Sequence, residues 1–587
     1  MTRVDLERQL QSHFGFPAFR PGQREACEAA LAGRDVLVVM PTGAGKSLCY
    51  QLPALLRDDL TLVVSPLVSL MQDQVDALGR RGLGHRVALV NAQQDSTRNA
   101  EAVERAARGE LSLLYVAPER FSSPAFVERI RDVRVGLFVV DEAHCVSEWG
   151  HDFRPDYFRL ADAARYVGAG SLVASTATAT PRVAADIAAR LSLRDPVQVA
   201  TGFDRPNLSF AVLPVSGYHK SRALARELGR PDALPAIVYA GTRAGTEEWA
   251  AQLGDELGVE ALAYHAGLDR ERRAAVQRRF LAGEAPVVVA TNAFGMGIDK
   301  ADVRTVVHAS VPSSLEAYYQ EAGRAGRDGA PARALLLAEN RDKALHVHFI
   351  KRDEADPELA GAVAGRLASH AAGAGRYRVE AAGLGREAGC GPEQLKSVLG
   401  HLARAGVAVP APSSPDVVAG RLAGPFDRRA AGLCRTYAAE AGRSRWRQYR
   451  EIWGYVEEPG CRRERILRHF GDPAPARRGE GCCDVCEPAL APPVEAVTAA
   501  EAGDLDDAIA ALVRAARPAV GRTLCAEILH GARTKKIERG AYDGLPGYGA
   551  WGRMRRSDIV ARIDHLIEEG RLATTAGPYP VLTPSGA

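Results

Sequence analysis

The chain has 587 residues, 25% of them charged, and its 75 lysines and arginines balance 72 aspartates and glutamates to a net charge of +3. That length excludes a single hydrophobic core and implies roughly three to five domains, while the near-neutral balance excludes a global basic field, so any nucleic-acid binding must use local patches. No stretch approaches the roughly eighteen uninterrupted apolar residues of a membrane span, and the opening MTRVDLERQL lacks the apolar core of a signal peptide, so the expectation is a cytoplasmic protein without membrane association.

From about residue 30 to 340, short β-branched runs alternate with helix-like segments: Val36 to Val39, Leu62 to Val64, Leu137 to Val140, Ile237 to Tyr239, Val287 to Ala290 and Val306 to His308. This alternation predicts parallel sheets with crossover helices. Phe203-Asp204-Arg205-Pro206-Asn207 interrupts the series with a proline and turn formers, which predicts a hinge between two α/β lobes, 1–205 and 206–345.

Past about residue 345 the apolar strands are expected to give way to Ala/Gly/Arg-rich helices. A helical insertion is placed at 346–430, a helical metal-binding subdomain at 431–490, a proline-rich linker at 491–505 and a last domain at 506–587. Within the insertion, Pro392 to Leu402 reads as an amphipathic helix with Leu395, Val398, Leu399 and Leu402 on one face; a winged-helix-like unit and a packing spacer both stay open. The last domain has a helix with Ile559, Ile563, Leu566 and Ile567 on one face, then two short strand-like pieces around Ala576-Gly577-Pro578, which predicts a winged helix.

Met40-Pro41-Thr42-Gly43-Ala44-Gly45-Lys46-Ser47 follows an apolar strand and precedes a helix, the context of a phosphate-binding loop, although Met40 stands where the general pattern has its first glycine. Thr42, Gly43 and Gly45 would bring backbone N–H groups around the phosphates of ATP, Lys46 would reach the terminal phosphates, and Ser47 would ligate Mg²⁺. Asp141-Glu142-Ala143-His144 ends a strand, placing Asp141 to hold Mg²⁺ and Glu142 to orient or deprotonate the attacking water. Gln320-Glu321-Ala322-Gly323-Arg324-Ala325-Gly326-Arg327 sets two arginines three apart; an arginine from the second lobe would make hydrolysis depend on lobe closure, and Gln320 belongs to the same candidate set. A glycine turn, a solvated acidic turn and a basic helix face are the bland alternatives. Their order, each at a strand or helix end, favours one ATP site.

At these residues the sequence resembles the RecQ branch of superfamily 2 DNA helicases, through nearly all of residues 8 to 345. Phe14 to Gln23 resembles the family's adenine-recognition motif, which assigns base stacking to Phe16, assistance to Arg20 and edge reading to Gln23. Trp149-Gly150-His151-Asp152-Phe153-Arg154-Pro155 resembles the aromatic-rich loop that couples DNA binding to hydrolysis: Trp149 and Phe153 can stack on bases, Arg154 can meet phosphate, and His151 is counted with them. Ser65 to Leu70, Ala117 to Arg120, Ser175 to Thr178 and Thr291 to Asp299 match further helicase motifs, whose hydroxyl and backbone donors suit sequence-independent contact with a single strand's phosphates.

Cys461, Cys482, Cys483 and Cys486 cluster, and in a large chain of a reducing compartment a cysteine cluster points to a metal before disulfides; Cys483 and Cys486, three apart, form a metal knuckle. They resemble the family's zinc-binding subdomain, four thiolates around Zn²⁺, except that Cys482 and Cys483 are adjacent and Glu480 stands where a cysteine is expected, which leaves the fourth ligand open. Residues 506 to 587 resemble the family's winged helix, and Arg533, Lys535, Lys536, Arg555 and Arg556 are expected to form its DNA-facing basic patch, with Arg553 beside them. A solvated charged face is the competing reading.

The fold class implied is α/β: two RecA-like parallel-sheet lobes, then a helical zinc-binding subdomain and a C-terminal winged helix. The activity implied is an ATP-dependent DNA helicase that moves 3′ to 5′ on single-stranded DNA and unwinds duplexes in repair and recombination. ATP, Mg²⁺ and Zn²⁺ are its cofactors. Single-stranded and forked DNA are its partners, with single-strand-binding protein and recombination factors beside them, for a monomer associated with the nucleoid. An ATP-controlled annealing protein that does not separate strands is the alternative from another class, and an RNA helicase a weaker one.

Overall fold

The computed structural model describes residues 5–91, 94–147, 157, 160–215, 217–294, 300–354, 358–411, 416–476, 478–491, 499–532, 534–545, 547–552, 554–575 and 580–585. The first lobe is built on seven strands: β1 (Val36–Val39), β2 (Leu60–Val64), β3 (Val87–Val90), β4 (Leu113–Val116), β5 (Val135–Val140), β6 (Ser171–Thr176) and β7 (Val197–Ala200). They pair in the order β3-β4-β2-β5-β6-β1-β7, every neighbour parallel. The VLVV of β1 and the VGLFVV of β5 are buried from end to end, as a parallel sheet covered by helices on both faces requires.

Phe203 to Asn207 leads into the second lobe, whose strands are β8 (Leu208–Pro214), β9 (Ala236–Tyr239), β10 (Ala261–Tyr264), β11 (Val287–Ala290), β12 (Thr305–His308) and β13 (Ala332–Ala338). Their order is β10-β11-β9-β12-β13-β8, again all parallel. Every run singled out in the sequence lies within one of these strands. Ligand sites in such sheets form beyond the carboxyl ends of the strands, where the loops after β1, β5 and β12 emerge.

Strands continue past residue 345, where the apolar strands were expected to give way to helices. Helix Leu359–Ser369 is followed by β14 (Arg376–Glu380), helices Ala381–Ala388 and Pro392–Arg404, then β15 (Ala408–Ala411) and β16 (Val417–Leu422). The strands form an antiparallel sheet in the order β14-β16-β15. The RYRVE of β14 alternates charged and apolar residues and so lacks the apolar run that marks the strands of the lobes. Helix, strand, two helices and a hairpin make a winged-helix order. The unit has its own core of Leu359, Val363, Leu367, Tyr377, Leu384, Leu395, Val398 and Leu402. Helix Pro392–Arg404 also packs along helix Arg428–Glu457, so the winged-helix and spacer readings describe the same element.

The 30-residue helix Arg428–Glu457 starts where the Asp427 side chain accepts a hydrogen bond from the Ala430 N–H, and Pro459 bars its continuation. Helix Arg462–His469 and the cysteine-bearing turn follow. The last unit comprises helices Ala499–Ala515, Arg522–His530, Lys535–Arg539 and Arg556–Glu568 with the hairpin β17 (Leu572–Thr574) and β18 (Leu582–Pro584). The predicted face Ile559, Ile563 and Leu566 is buried in its core and Ile567 packs against it. Among the described residues no helix is long and apolar enough to cross a membrane.

Candidate nucleotide cleft and metal centre

The β1 strand ends at the loop Met40 to Ser47, where Gly43 and Gly45 adopt φ of +84° and +83°. Both conformations favour glycine, and at each the space is taken: a Cβ on Gly45 would lie 2.5 Å from Gln23 Nε2, and one on Gly43 would lie 3.3 Å from Arg327 Cγ. The second contact crosses the lobes. Lys46 Nζ donates to the Met40 carbonyl at 3.2 Å. Burial lowers the Lys46 pKa below the usual lysine value, while Glu142 and Asp141 pull it back up.

The β5 strand ends at Asp141. Burial, and then the neighbouring Glu142, push the Asp141 carboxyl up to about 7 against the pull of Lys46. Two adjacent carboxylates in a buried turn suit a hard divalent cation, whose charge would reverse that shift. Glu142 is held at φ +48°, a left-handed conformation costly for a residue with a Cβ and typical of over-determined functional turns. His144 is buried, with Nδ1 3.1 Å from Thr176 Oγ1 and 3.3 Å from Glu142 Oε2, which ties the acidic turn to the end of β6.

From the second lobe, helix Leu315–Ala322 and the turn after it bring Gln320, Arg324 and Arg327 to the same cleft. This cleft, of about 810 Å³, is lined by Phe16, Arg20, Gln23, Thr42, Gly43, Gly45, Lys46, Ser47, Asp141, Glu142, Gln320, Arg324 and Arg327, so the structure gathers the whole predicted ATP set from both lobes. At its mouth Phe16 is 45% exposed, an uncovered aromatic platform. Gln23 donates to the Ala44 and Gly45 carbonyls at 3.0 and 3.1 Å, and Arg20 to the Gly43 carbonyl at 2.5 Å.

Two residues of this site were missed in the sequence. The Arg81 guanidinium lies 5.4 Å from the Phe16 ring centroid and 5.7 Å from that of Phe14. Arg205, in the segment that joins the lobes, donates to the carbonyls of Thr42 (3.2 Å), Gly323 (3.1 Å), Ala325 (2.8 Å) and Gly326 (3.0 Å). One guanidinium thereby staples the loop Met40 to Ser47 to the turn that carries Arg324 and Arg327.

The four cysteine sulfurs Cys461, Cys482, Cys483 and Cys486 lie within 4.8 Å of one another. Cys461 Sγ is 3.5 Å from Cys482 Sγ and 3.8 Å from Cys483 Sγ. A tetrahedral Zn²⁺ with Zn–S bonds of about 2.3 Å separates its sulfurs by about 3.8 Å, so the residues present fit the metal, and Cys482 stands with the other three despite its spacing. The centre is locked to the second lobe: the Phe210 N–H donates to the Cys482 carbonyl at 3.2 Å, and Asp484 N–H donates to the Phe210 carbonyl at 3.0 Å. Arg463, two residues from Cys461, pairs with Asp204 and donates to the carbonyls of Arg205 (2.7 Å) and Leu208 (2.6 Å).

The expected DNA-facing residues fare differently. Trp149, His151, Phe153, Arg154, Arg533 and Arg553 lie outside the described residues, as do Gly295 to Asp299 and the hairpin tip Ala576 to Tyr579. Lys535 and Lys536 are exposed on a short helix. Arg555 requires a correction. Its side chain is only 9% exposed, it pairs with Asp558 at 2.6 Å, and its guanidinium lies 3.1 Å from the ring centroid of Trp249 in the second lobe. Arg556 sits beside it, 3.4 Å from Glu248. Both arginines contact the second lobe, but only Arg555 is taken out of the expected patch, since the Arg556 side chain stays 46% exposed.

Comparison with known proteins gives four family matches: the DEAD/DEAH box helicase over 20–187, the helicase conserved C-terminal domain over 219–329, RecQ zinc-binding over 430–487 and the RQC domain over 504–587. The chain is 43% identical over 354 residues to the ATP-dependent DNA helicase RecQ of Pasteurella multocida, covering 60% of this chain and 55% of that protein. It is 39% identical over 353 residues to the probable ATP-dependent DNA helicase RecS of Bacillus subtilis, covering 60% of this chain and 71% of that one. Against the RecQ of Haemophilus influenzae it is 44% identical over 335 residues, 57% of this chain and 53% of that protein, so the match spans little more than half of both RecQ relatives. Among solved structures, the DEAD-box helicase Mss116 bound to ssRNA aligns with 67% of this chain and 88% of its own at 17% identity and a TM-score of 0.49. On the matched domains and the relatives together, the chain belongs to the RecQ helicase family.

Proposed function

We propose that the protein is an ATP-dependent DNA helicase that hydrolyses ATP between its lobes, moves 3′ to 5′ on single-stranded DNA and separates duplex strands. The observation that carries this reading is the single cleft lined by Lys46, Asp141 and Glu142 from one lobe and by Gln320, Arg324 and Arg327 from the other. Phe16 and Gln23 hold the adenine, with Arg20 beside them. Lys46 and the loop N–H groups hold the phosphates, and Ser47 and Asp141 hold Mg²⁺. Glu142 positions the attacking water. Arg327 stabilises charge developing on the transferred phosphoryl group, so hydrolysis requires closed lobes, and the change between closed and open grip on the strand becomes a step. Zn²⁺, held by the four thiolates, supplies a rigid cross-link that fixes Arg463 against the hinge.

The relatives are named as DNA helicases, which supports DNA over RNA as the substrate. Work in repair and recombination, alongside single-strand-binding protein and recombination factors, as a monomer associated with the nucleoid, completes the reading. A second reading, translocation or annealing without strand separation, is favoured by the burial of Arg555, which removes one cation from the expected fork-facing patch. ATP hydrolysis and strand separation measured side by side, on 3′-tailed and 5′-tailed duplexes, distinguish the two. The helicase reading expects both activities on the 3′-tailed duplex and neither for Lys46→Ala. Hydrolysis without separation on either substrate replaces it with the second reading.

A further inference from the structure

We propose that the inserted winged helix is a second nucleic-acid contact: the open face of its β14-β16-β15 sheet, through Arg376, Arg378 and Arg421, holds the phosphate backbone of the single strand that the lobes track. This rests on the reading above.

Register sets the face. Arg376 is paired opposite Arg421 and Arg378 opposite Ala419, while Val409 and Ala411 of β15 continue the same two rows. Tyr377 and Gly420 turn to the other side, into the core: Tyr377 is 5% exposed, and a Cβ on Gly420 would come within 2.3 Å of its hydroxyl. The three arginines point away from that core and are exposed. Among the described residues no carboxylate pairs with any of them; the acid on their face, Glu380, is 3.7 Å from Arg386 instead. Like charges set directly opposite each other weaken a sheet, so this arrangement is one that an anion stabilises.

The usual reading element of a helix-turn-helix unit is its last helix, and here that helix is occupied. Pro392–Arg404 lies against helices Leu359–Ser369 and Arg428–Glu457, with Leu395, Val398 and Leu402 buried. The sheet is the charged surface left open. Its position suits a strand already gripped by the lobes, because the edge strand β15 lies against Pro118–Ser122 of the first lobe, within which Arg120 belongs to a segment resembling a strand-contacting helicase motif. β16 and β14 follow about 5 and 10 Å beyond β15, so the arginine rows extend the phosphate path outward from that motif. The chain therefore runs from the second lobe into the insertion and back onto the first lobe, enclosing the strand from a third side.

The test compares the full chain with the triple variant Arg376→Gln/Arg378→Gln/Arg421→Gln in binding titrations over a range of salt. The probes are a short oligothymidylate that fills only the lobes, a longer one, and a blunt duplex. Three phosphate contacts on a single strand contribute about 2 to the slope of log affinity against log salt, or on the order of a hundredfold in affinity at about 0.1 M salt. The expected result is that loss on the long oligonucleotide alone, with short-strand affinity kept as the control for folding. The corresponding triple lysine variant is expected to keep the parental slope. An unchanged slope on the long strand, while single strands still stimulate ATP hydrolysis, overturns the proposal and leaves the helicase reading intact. An equal loss on blunt duplex overturns the choice of a single strand as occupant. If single strands neither bind the parent chain nor stimulate it, the helicase reading fails and this proposal fails with it.

Discussion

Replacing Arg205 by alanine isolates the link between the lobes, because this side chain serves four backbone carbonyls on both sides of the cleft without lining the cleft itself. Hydrogen bonds from a charged donor contribute about 1.5 kcal/mol or more each, which would sum to about 6 kcal/mol if every acceptor were left dry. Gly323, Ala325 and Gly326 are buried, whereas Arg205 and Thr42 are partly exposed, so water would recover part of that loss. A net cost of about 3 kcal/mol to the closed arrangement corresponds to on the order of a hundredfold in rate. Steady-state hydrolysis with saturating single-stranded DNA should show that fall in kcat. KM for ATP should move by only a few-fold, since Phe16, Gln23 and Lys46 remain in place. Arg205→Lys should restore little, because an ammonium cannot present the planar fork that four carbonyls share. If Arg205→Ala retains kcat within about twofold of the parent, the staple does not position Arg327 and the reasoning fails.

Cys483→Ser should lower the bound zinc measured by atomic spectrometry, lower the midpoint of thermal unfolding, and weaken DNA-stimulated hydrolysis, because the thiolate cluster holds the helix from which Arg463 reaches Arg205; retention of a full zinc equivalent would show that Cys483 is not a ligand. His401 gives a pH prediction. Burial, with Arg404 and Arg445 nearby, lowers its pKa to about 4 from the usual 6.5, so the unfolded chain takes up the proton first, and stability present above pH 6.5 is lost as pH falls toward 4. Between pH 7 and pH 5 the inserted winged helix should lose about 2 kcal/mol, measured by hydrogen exchange of its amides, and His401→Gln should remove most of that dependence. Equal pH sensitivity in the two proteins would contradict the assignment.

The strands legible in the sequence were those buried on both faces, such as VLVV of β1 and VVVA of β11, because a parallel sheet under helices demands unbroken apolar runs. β10, half-exposed along its length, and β14, with its alternating arginines, carry no such run. The lining of the cleft was legible from both lobes, since each contribution is a short segment at the end of a strand or helix. Arg205 and Arg81 were not, because a guanidinium serving carbonyls some 120 residues away, or lying beside an aromatic ring, leaves no local spacing to recognise. Arg555 was misread for the converse reason. Its neighbours in sequence suggest a basic surface, and only the docking of Trp249 buries it. Cys482 was left open by its adjacency to Cys483, and chain folding brings its sulfur within 3.5 Å of Cys461's.

The central claim, that catalysis is completed across the lobes, is tested most directly by ATP hydrolysis and nucleotide binding in Arg327→Ala with saturating single-stranded DNA. The account predicts nucleotide affinity near that of the parent, with hydrolysis lowered by on the order of a thousandfold or more. Hydrolysis at the parental rate would place the catalytic charge elsewhere and contradict the account.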